Sequence, residues 1–143
     1  MPTNQSYLGG RIGNGVPYNC MTARKKILIV DDSPTVLLME RMLLQPDGYD
    51  FITAKDGQEA IRKAEAEHPD LILMDVMMPG VGGFDACKHI RQNGATADIR
   101  IIMVTTRSEA PNVQCGYESG CDDYVTKPID GLELAAKVRN LLT

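Results

Sequence analysis

Asp75 closes an apolar run, Leu71-Ile72-Leu73-Met74, and Val76-Met77-Met78-Pro79-Gly80 follows it. Such a run, stopped by an acid and then by Pro-Gly, reads as a buried strand entering a turn. Asp31 and Asp32 close a similar run, Ile27-Leu28-Ile29-Val30. Thr105-Thr106 stops a third, Arg100 to Val104, and Lys127-Pro128 a fourth, Asp122 to Thr126. Carboxylates that gather repel one another and persist together when a cation neutralises them. An all-oxygen set without His or Cys suits Mg²⁺, with Mn²⁺ as the substitute. A carboxylate can also act as a nucleophile and carry a phosphoryl group, and phosphoryl transfer depends on positioning and charge stabilisation. A phosphoryl group on Asp75 needs a metal on one oxygen, an ammonium on another and a hydroxyl donor on the third. The acids, Lys127 and Thr105 supply each once, so Asp75 is read as a phosphate acceptor.

Five strands must place these residues, and helical patterns separate them. Ser33-Pro34 starts a first helix as cap and first helical residue, and Pro46 and Gly48 stop it. Its Val36, Met39 and Leu43 share a face, with Leu37 and Leu44 beside them and Leu38 and Met42 widening the stripe, so it is expected to be broadly buried. Tyr49 to Ala54 is a second strand. A second helix is capped by Asp56 and ends near His68-Pro69. A third runs from Gly83 to about Gln92, and a fourth over roughly Glu109 to Ser119, stopped by Gly120. A last helix spans about Gly131 to Leu142. The alternation (βα)₅ is an α/β fold: a doubly wound, five-stranded parallel sheet with right-handed crossovers. The flavodoxin-like order 2-1-3-4-5 puts the switch point between strands 1 and 3, at Asp31, Asp32 and Asp75.

A chain of 143 residues with 15 basic and 19 acidic side chains has a net charge of −4. The first 24 residues hold only Arg11 and Arg24, so residues 25–143 carry 13 − 19 = −6. That balance argues against direct nucleic-acid binding by the folded part. No stretch approaches a membrane span. Residues 1–24, Gly-rich and without acids, are expected to be a disordered leader or arm, with Met21 as the natural start. Cys20, Cys87, Cys115 and Cys121 form no CxxC pair and are read as reduced thiols in a cytoplasmic protein. Cys87 is expected in the core. Cys115 and Cys121, bracketing the end of the fourth predicted helix, are the two expected to offer an accessible thiol. His68 and His89 are expected to face solvent.

The four strand-end segments together resemble the receiver domain of two-component response regulators, over residues 25–143. The resemblance is carried by Ile27 to Ser33, by Leu73 to Gly80, by Met103-Val104-Thr105 and by Asp122 to Pro128. It implies that Asp75 takes the phosphoryl group from a phosphohistidine on a sensor histidine kinase or histidine phosphotransferase. It implies Mg²⁺ held by Asp32, Asp75 and the Met77 backbone carbonyl, with Asp31 acting mostly through water. Lys127, before a cis Pro128, would pair with the phosphoryl oxygens. Thr105 would move toward the phosphoryl group and Tyr124 would turn inward. The signal would leave through the face of the fourth predicted helix, fifth strand and last helix, to a downstream protein or to a second copy in a phosphorylation-dependent dimer. The chain would be no enzyme beyond self-catalysed phosphoryl transfer and autodephosphorylation.

Met77 and Arg107 depart from the polar and acidic residues of the chemotaxis relative, so its phosphoryl lifetime does not transfer, and Thr106 narrows access to Asp75. A haloacid-dehalogenase-type phosphatase would want an acid where Met77 stands. A flavin binder would be repelled by Asp31-Asp32. A degenerate receiver, working as an interaction module without phosphate, is the alternative. The weak pattern of residues 109–119, with Pro111, Asn112 and Gly116, suits either a switch or a helix fixed by its contacts.

Overall fold

A computed structural model of the protein describes residues 24–106 and 118–143. In chain order the elements are β1 (Lys26–Val30), α1 (Pro34–Leu44), a 3₁₀ turn (Gln45–Asp47), β2 (Asp50–Ala54), α2 (Gly57–Glu67), β3 (Leu71–Asp75), α3 (Gly83–Gln92), β4 (Arg100–Thr105), β5 (Asp123–Thr126) and α4 (Gly131–Leu142). The sheet is five-stranded and parallel, in the order β2-β1-β3-β4-β5. The expected topology stands. Residues 1–23 of the expected leader and most of the predicted helix over 109–119 lie outside the described residues.

Strand residues alternate between two cores, as the pleat requires. Leu28, Val30, Ile72, Met74, Ile101 and Met103 face α2 and α3. Ile27, Ile29, Leu71, Leu73, Ile102, Val104 and Val125 face α1 and α4. A strand covered on both faces reads as a continuous apolar run, which is why β1, β3 and β4 were legible. Caps behave as the sequence suggests. Ser33 Oγ accepts from the Val36 N–H, Asp56 from Glu59, and Asp130 from Leu132 and Glu133.

Helix α1 is not broadly buried. Leu38 is 59% exposed, Met42 61% and Met39 42%. The inward face is instead set by Glu40 and Leu44, with Leu37 and Leu43 partly covered. The apolar residues are spread too widely around α1 to fix its phase, and the buried stripe runs through an acid.

Arg91 of α3 joins two distant segments. Its Nε donates to the Gly120 carbonyl at 2.7 Å and a guanidinium nitrogen donates to Asp122 Oδ2 at 2.7 Å. It also donates to the carbonyls of Ala97 and Ile99. Asp122 Oδ2 accepts in turn from the Ile101 N–H at 2.8 Å, tying the entry of β5 to β4. Gly120 adopts φ +101°, the left-handed conformation expected of it.

Candidate functional site

Register brings the strand ends level. Val30 pairs with Met74, and Asp75 with Val104. Asp31 and Asp75, each at the carboxyl end of its strand, therefore meet at the switch point between β1 and β3. Thr105 pairs with Thr126, so Lys127 emerges on the same edge. The Lys127-Pro128 peptide is cis.

Three carboxylates converge. Asp31, Asp32 and Asp75 each offer an oxygen, all within 4.8 Å of one another. Asp31 and Asp75 are 2% and 4% exposed, while Asp32 is open to solvent. Lys127 Nζ stands 3.4 Å from Asp75 Oδ1 and 3.6 Å from Asp31 Oδ2. Asp31 Oδ1 accepts the Ser33 N–H at 2.9 Å, but its buried Oδ2 has no hydrogen-bond partner. Burial raises the Asp75 carboxyl to about 6. Asp31 adds to the rise, and Lys127 and a hydrogen bond from the Met77 backbone oppose it. Burial alone would lower Lys127, yet Asp75 and Asp31 outweigh it and hold the ammonium charged.

Thr105 is buried at the end of β4, next to the residue paired with Asp75, and its hydroxyl donates to the Thr106 carbonyl at 3.3 Å. The Met77 side chain points to solvent. Tyr124 is half-buried on β5 against the core that α2 and α3 cover, with Lys137 Nζ 5.2 Å from its ring centre. The structure thus gathers Asp31, Asp32, Asp75 and Lys127, with Thr105 at the adjoining strand end. Tyr124 stands apart, two residues before the β5 end.

Glu40 was missed. It lies 1% exposed on α1, both carboxylate oxygens lack a hydrogen-bond partner, and its pKa rises to about 8. Burial is the main cause, followed by Asp31; Lys127 counteracts, and Asp75 adds to the rise. The four-residue spacing Val36-Glu40-Leu44 was the available signal.

The thiols are as expected only in part. Cys87 is buried and raised to about 12. Cys121 is also buried, not accessible, and burial with the acids Asp122 and Asp123 raises it to about 11. Cys115 lies outside the described residues. His68 and His89 face solvent, and His68 Nε2 lies 3.1 Å from Asp98.

A flavodoxin-like α/β domain with an acidic cleft at its switch point is the class that fold and site define. The family model for the response regulator receiver domain matches residues 27–139. The transcriptional regulatory protein PhoP for alkaline phosphatase synthesis, from Bacillus subtilis (strain 168), is 44% identical over 118 residues, 82% of this chain and 48% of its own. The DNA-binding response regulator MtrA of Mycolicibacterium smegmatis is 40% identical over 118 residues, 82% of this chain and 50% of its own. Among solved structures, the receiver domain of the sensor histidine kinase PA1611 from Pseudomonas aeruginosa PAO1, with a magnesium ion coordinated in its active-site cleft, matches with TM-score 0.77 and 29% identity, covering 84% of this chain and 98% of that one. The chain belongs to the response regulator receiver domain family, the signalling modules of two-component systems.

The expectation of no nucleic-acid partner does not stand. This chain spans about half the length of these curated relatives, one of which is a DNA-binding response regulator. The charge of residues 25–143 describes one surface and says nothing about contacts made by other parts of such a protein. Among the described residues no helix is long and apolar enough to cross a membrane.

Proposed function

We propose that Asp75 is the phosphoacceptor of a phosphorelay, taking its phosphoryl group from a phosphohistidine of a sensor kinase or phosphotransferase. The observation that carries this is Lys127 Nζ held 3.4 Å from a buried Asp75 oxygen beside two further acids. A buried carboxylate with one fixed cation suits an attacking group that must stay ionised near neutrality, and a carboxyl titrating at about 6 meets that condition. In the transfer, an Asp75 oxygen forms the new P–O bond while the P–N bond breaks. The imidazole nitrogen leaves with that electron pair. Lys127 holds positive charge against the transferring oxygens, and the Thr105 hydroxyl donates to another of them. Tyr124 then turns inward, and the face that includes β5 and α4 carries the signal.

The donor set fits a hard divalent ion. It is all oxygen, gathered within 4.8 Å, and Asp31 Oδ2 is an orphaned buried acceptor. Asp31, Asp32, Asp75 and the Met77 carbonyl would hold Mg²⁺. When bound, the ion supplies charge neutralisation between the acids and the incoming phosphoryl oxygens. The magnesium in the PA1611 receiver cleft supports this reading.

Intact-mass spectrometry after incubation with acetyl phosphate, with and without Mg²⁺, tests the proposal. One Mg²⁺-dependent phosphoryl adduct is expected on the wild type and none on Asp75→Asn. If a phosphorylated histidine kinase and acetyl phosphate both leave the wild type unmodified, the chain is a phosphate-independent interaction module.

A further inference from the structure

Glu40 has no role in the mechanism above, and no hydrogen bond among the described residues compensates its burial. Its carboxyl is 1% exposed with neither oxygen hydrogen-bonded. An unmatched buried carboxyl destabilises a fold. One turn later, the same face of α1 carries the fully buried Leu44. Helical side chains lean toward their own N-terminus. Glu40 therefore leans toward the start of α1, and Asp31, following Ile27 and Ile29 in the strand alternation, falls on the sheet face that packs with Leu44 of α1. The charges that bear on Glu40 are Asp31, then Lys127, then Asp75. Asp31 Oδ2, the oxygen that faces Lys127, is the other orphaned carboxylate oxygen among the described residues. Asp31 Oδ2, ion-paired with Lys127 at 3.6 Å but without a hydrogen bond, and both Glu40 oxygens are thus buried acceptors that no hydrogen bond among the described residues fills.

We propose that Glu40 is a positioning residue of the phosphoacceptor site: acting through Asp31 and Lys127, it serves as a buried acceptor for the donors that a hydrated divalent ion brings to the cluster, and so strengthens metal binding. The inference rests on the reading of Asp31, Asp32 and Asp75 as the Mg²⁺ site. A bound Mg²⁺ keeps several waters, which act as donors, and a carboxyl group retains an oxygen that accepts whether or not it is protonated. Groups that support metal ligands from outside the coordination shell tune affinity without touching the ion. Here that support would come from α1 rather than from a strand end.

Mn²⁺ binding, followed by the electron paramagnetic resonance of the free ion, tests this on the full chain. Wild type, Glu40→Gln, Glu40→Leu and Asp32→Asn are compared, with the urea midpoint of each measured without metal. Wild type is expected to bind and Asp32→Asn to lose binding. Glu40→Leu is expected to bind on the order of tenfold more weakly, while its urea midpoint rises because an apolar side chain replaces an unmatched carboxyl. Glu40→Gln, which keeps the shape, is expected to weaken binding in the same direction, and it decides the question if the leucine variant fails to fold. Wild-type affinity in the folded Glu40 variants overturns the proposal and leaves Glu40 a packing residue. No Mn²⁺ binding by the wild type overturns the metal reading itself, and this inference with it.

Discussion

Replacing Lys127 with Met removes the ammonium 3.4 Å from Asp75 Oδ1 and 3.6 Å from Asp31 Oδ2 but keeps most of the apolar stem. In the wild type the Asp75 carboxyl titrates at about 6, against a value near ~4 in an unfolded chain. Between those values the folded state binds the extra proton, so wild-type stability without metal falls as pH rises through that window. An opposite charge this close lowers a carboxyl by about 1–3 units. Losing Lys127 raises Asp75 by a similar amount, and the window of falling stability extends past neutrality. Each unit is worth about 1.4 kcal/mol above both values. The substitution should therefore cost little near about pH 5, where wild-type Asp75 is already largely protonated, and about 1–3 kcal/mol near about pH 8.5. Urea unfolding in EDTA at the two pH values reads the difference, and the Asp75 carboxyl carbon resonance reads the titration. A deficit of equal size at both pH values, or an Asp75 that titrates no higher than in the wild type, would refute the electrostatic account.

Gly83→Ala tests the support beneath the acceptor. An added Cβ would overlap the Asp75 carbonyl oxygen and come within 2.9 Å of Met103 Cε and Val76 Cα. The urea midpoint should show a loss of about 1–3 kcal/mol or more, whereas Gly94→Ala, with open space around it, should stay within about 0.5 kcal/mol. Leu73→Ala empties a fully buried position on β3 and should cost about 2–5 kcal/mol by the same measurement. Cys87 and Cys121, buried with raised pKa values, should resist alkylation by iodoacetamide near neutral pH and react once urea unfolds the chain; peptide mapping at these two sites reads the result.

The site was legible because each of its parts ends an apolar run. Asp31, Asp32, Asp75, Thr105 and Lys127 stop β1, β3, β4 and β5, and a parallel sheet gathers the ends of its strands on one edge. Strand boundaries shifted by a residue or so where a polar residue could sit in the ladder or just past it, as Asp75 and Thr105 do inside theirs. Helix α1 was the failure. With Val36, Leu37, Leu38, Met39, Met42, Leu43 and Leu44 all apolar, composition could not say which side faced the sheet. The phase is settled by packing against β1 and α4, and it turned Glu40 inward and Leu38 and Met42 outward. The accessible thiol expected at Cys121 failed for a similar reason, since Cys121 joins the core that holds Ala86, Cys87 and Ile90 of α3.

The Arg91–Gly120 contact restricts how this chain can evolve. A Cβ on residue 120 would approach Arg91 Cγ within 2.6 Å, and the backbone there, at φ +101°, disfavours any other residue even with Arg91 gone. A shorter residue at 91 would strip the donor from the carbonyls of Gly120, Ala97 and Ile99 and from Asp122. Each single replacement is therefore expected to cost stability, and neither is relieved by the other. Descendants of this sequence are therefore expected to keep both residues, Gly120 for its backbone and Arg91 for the four acceptors it joins.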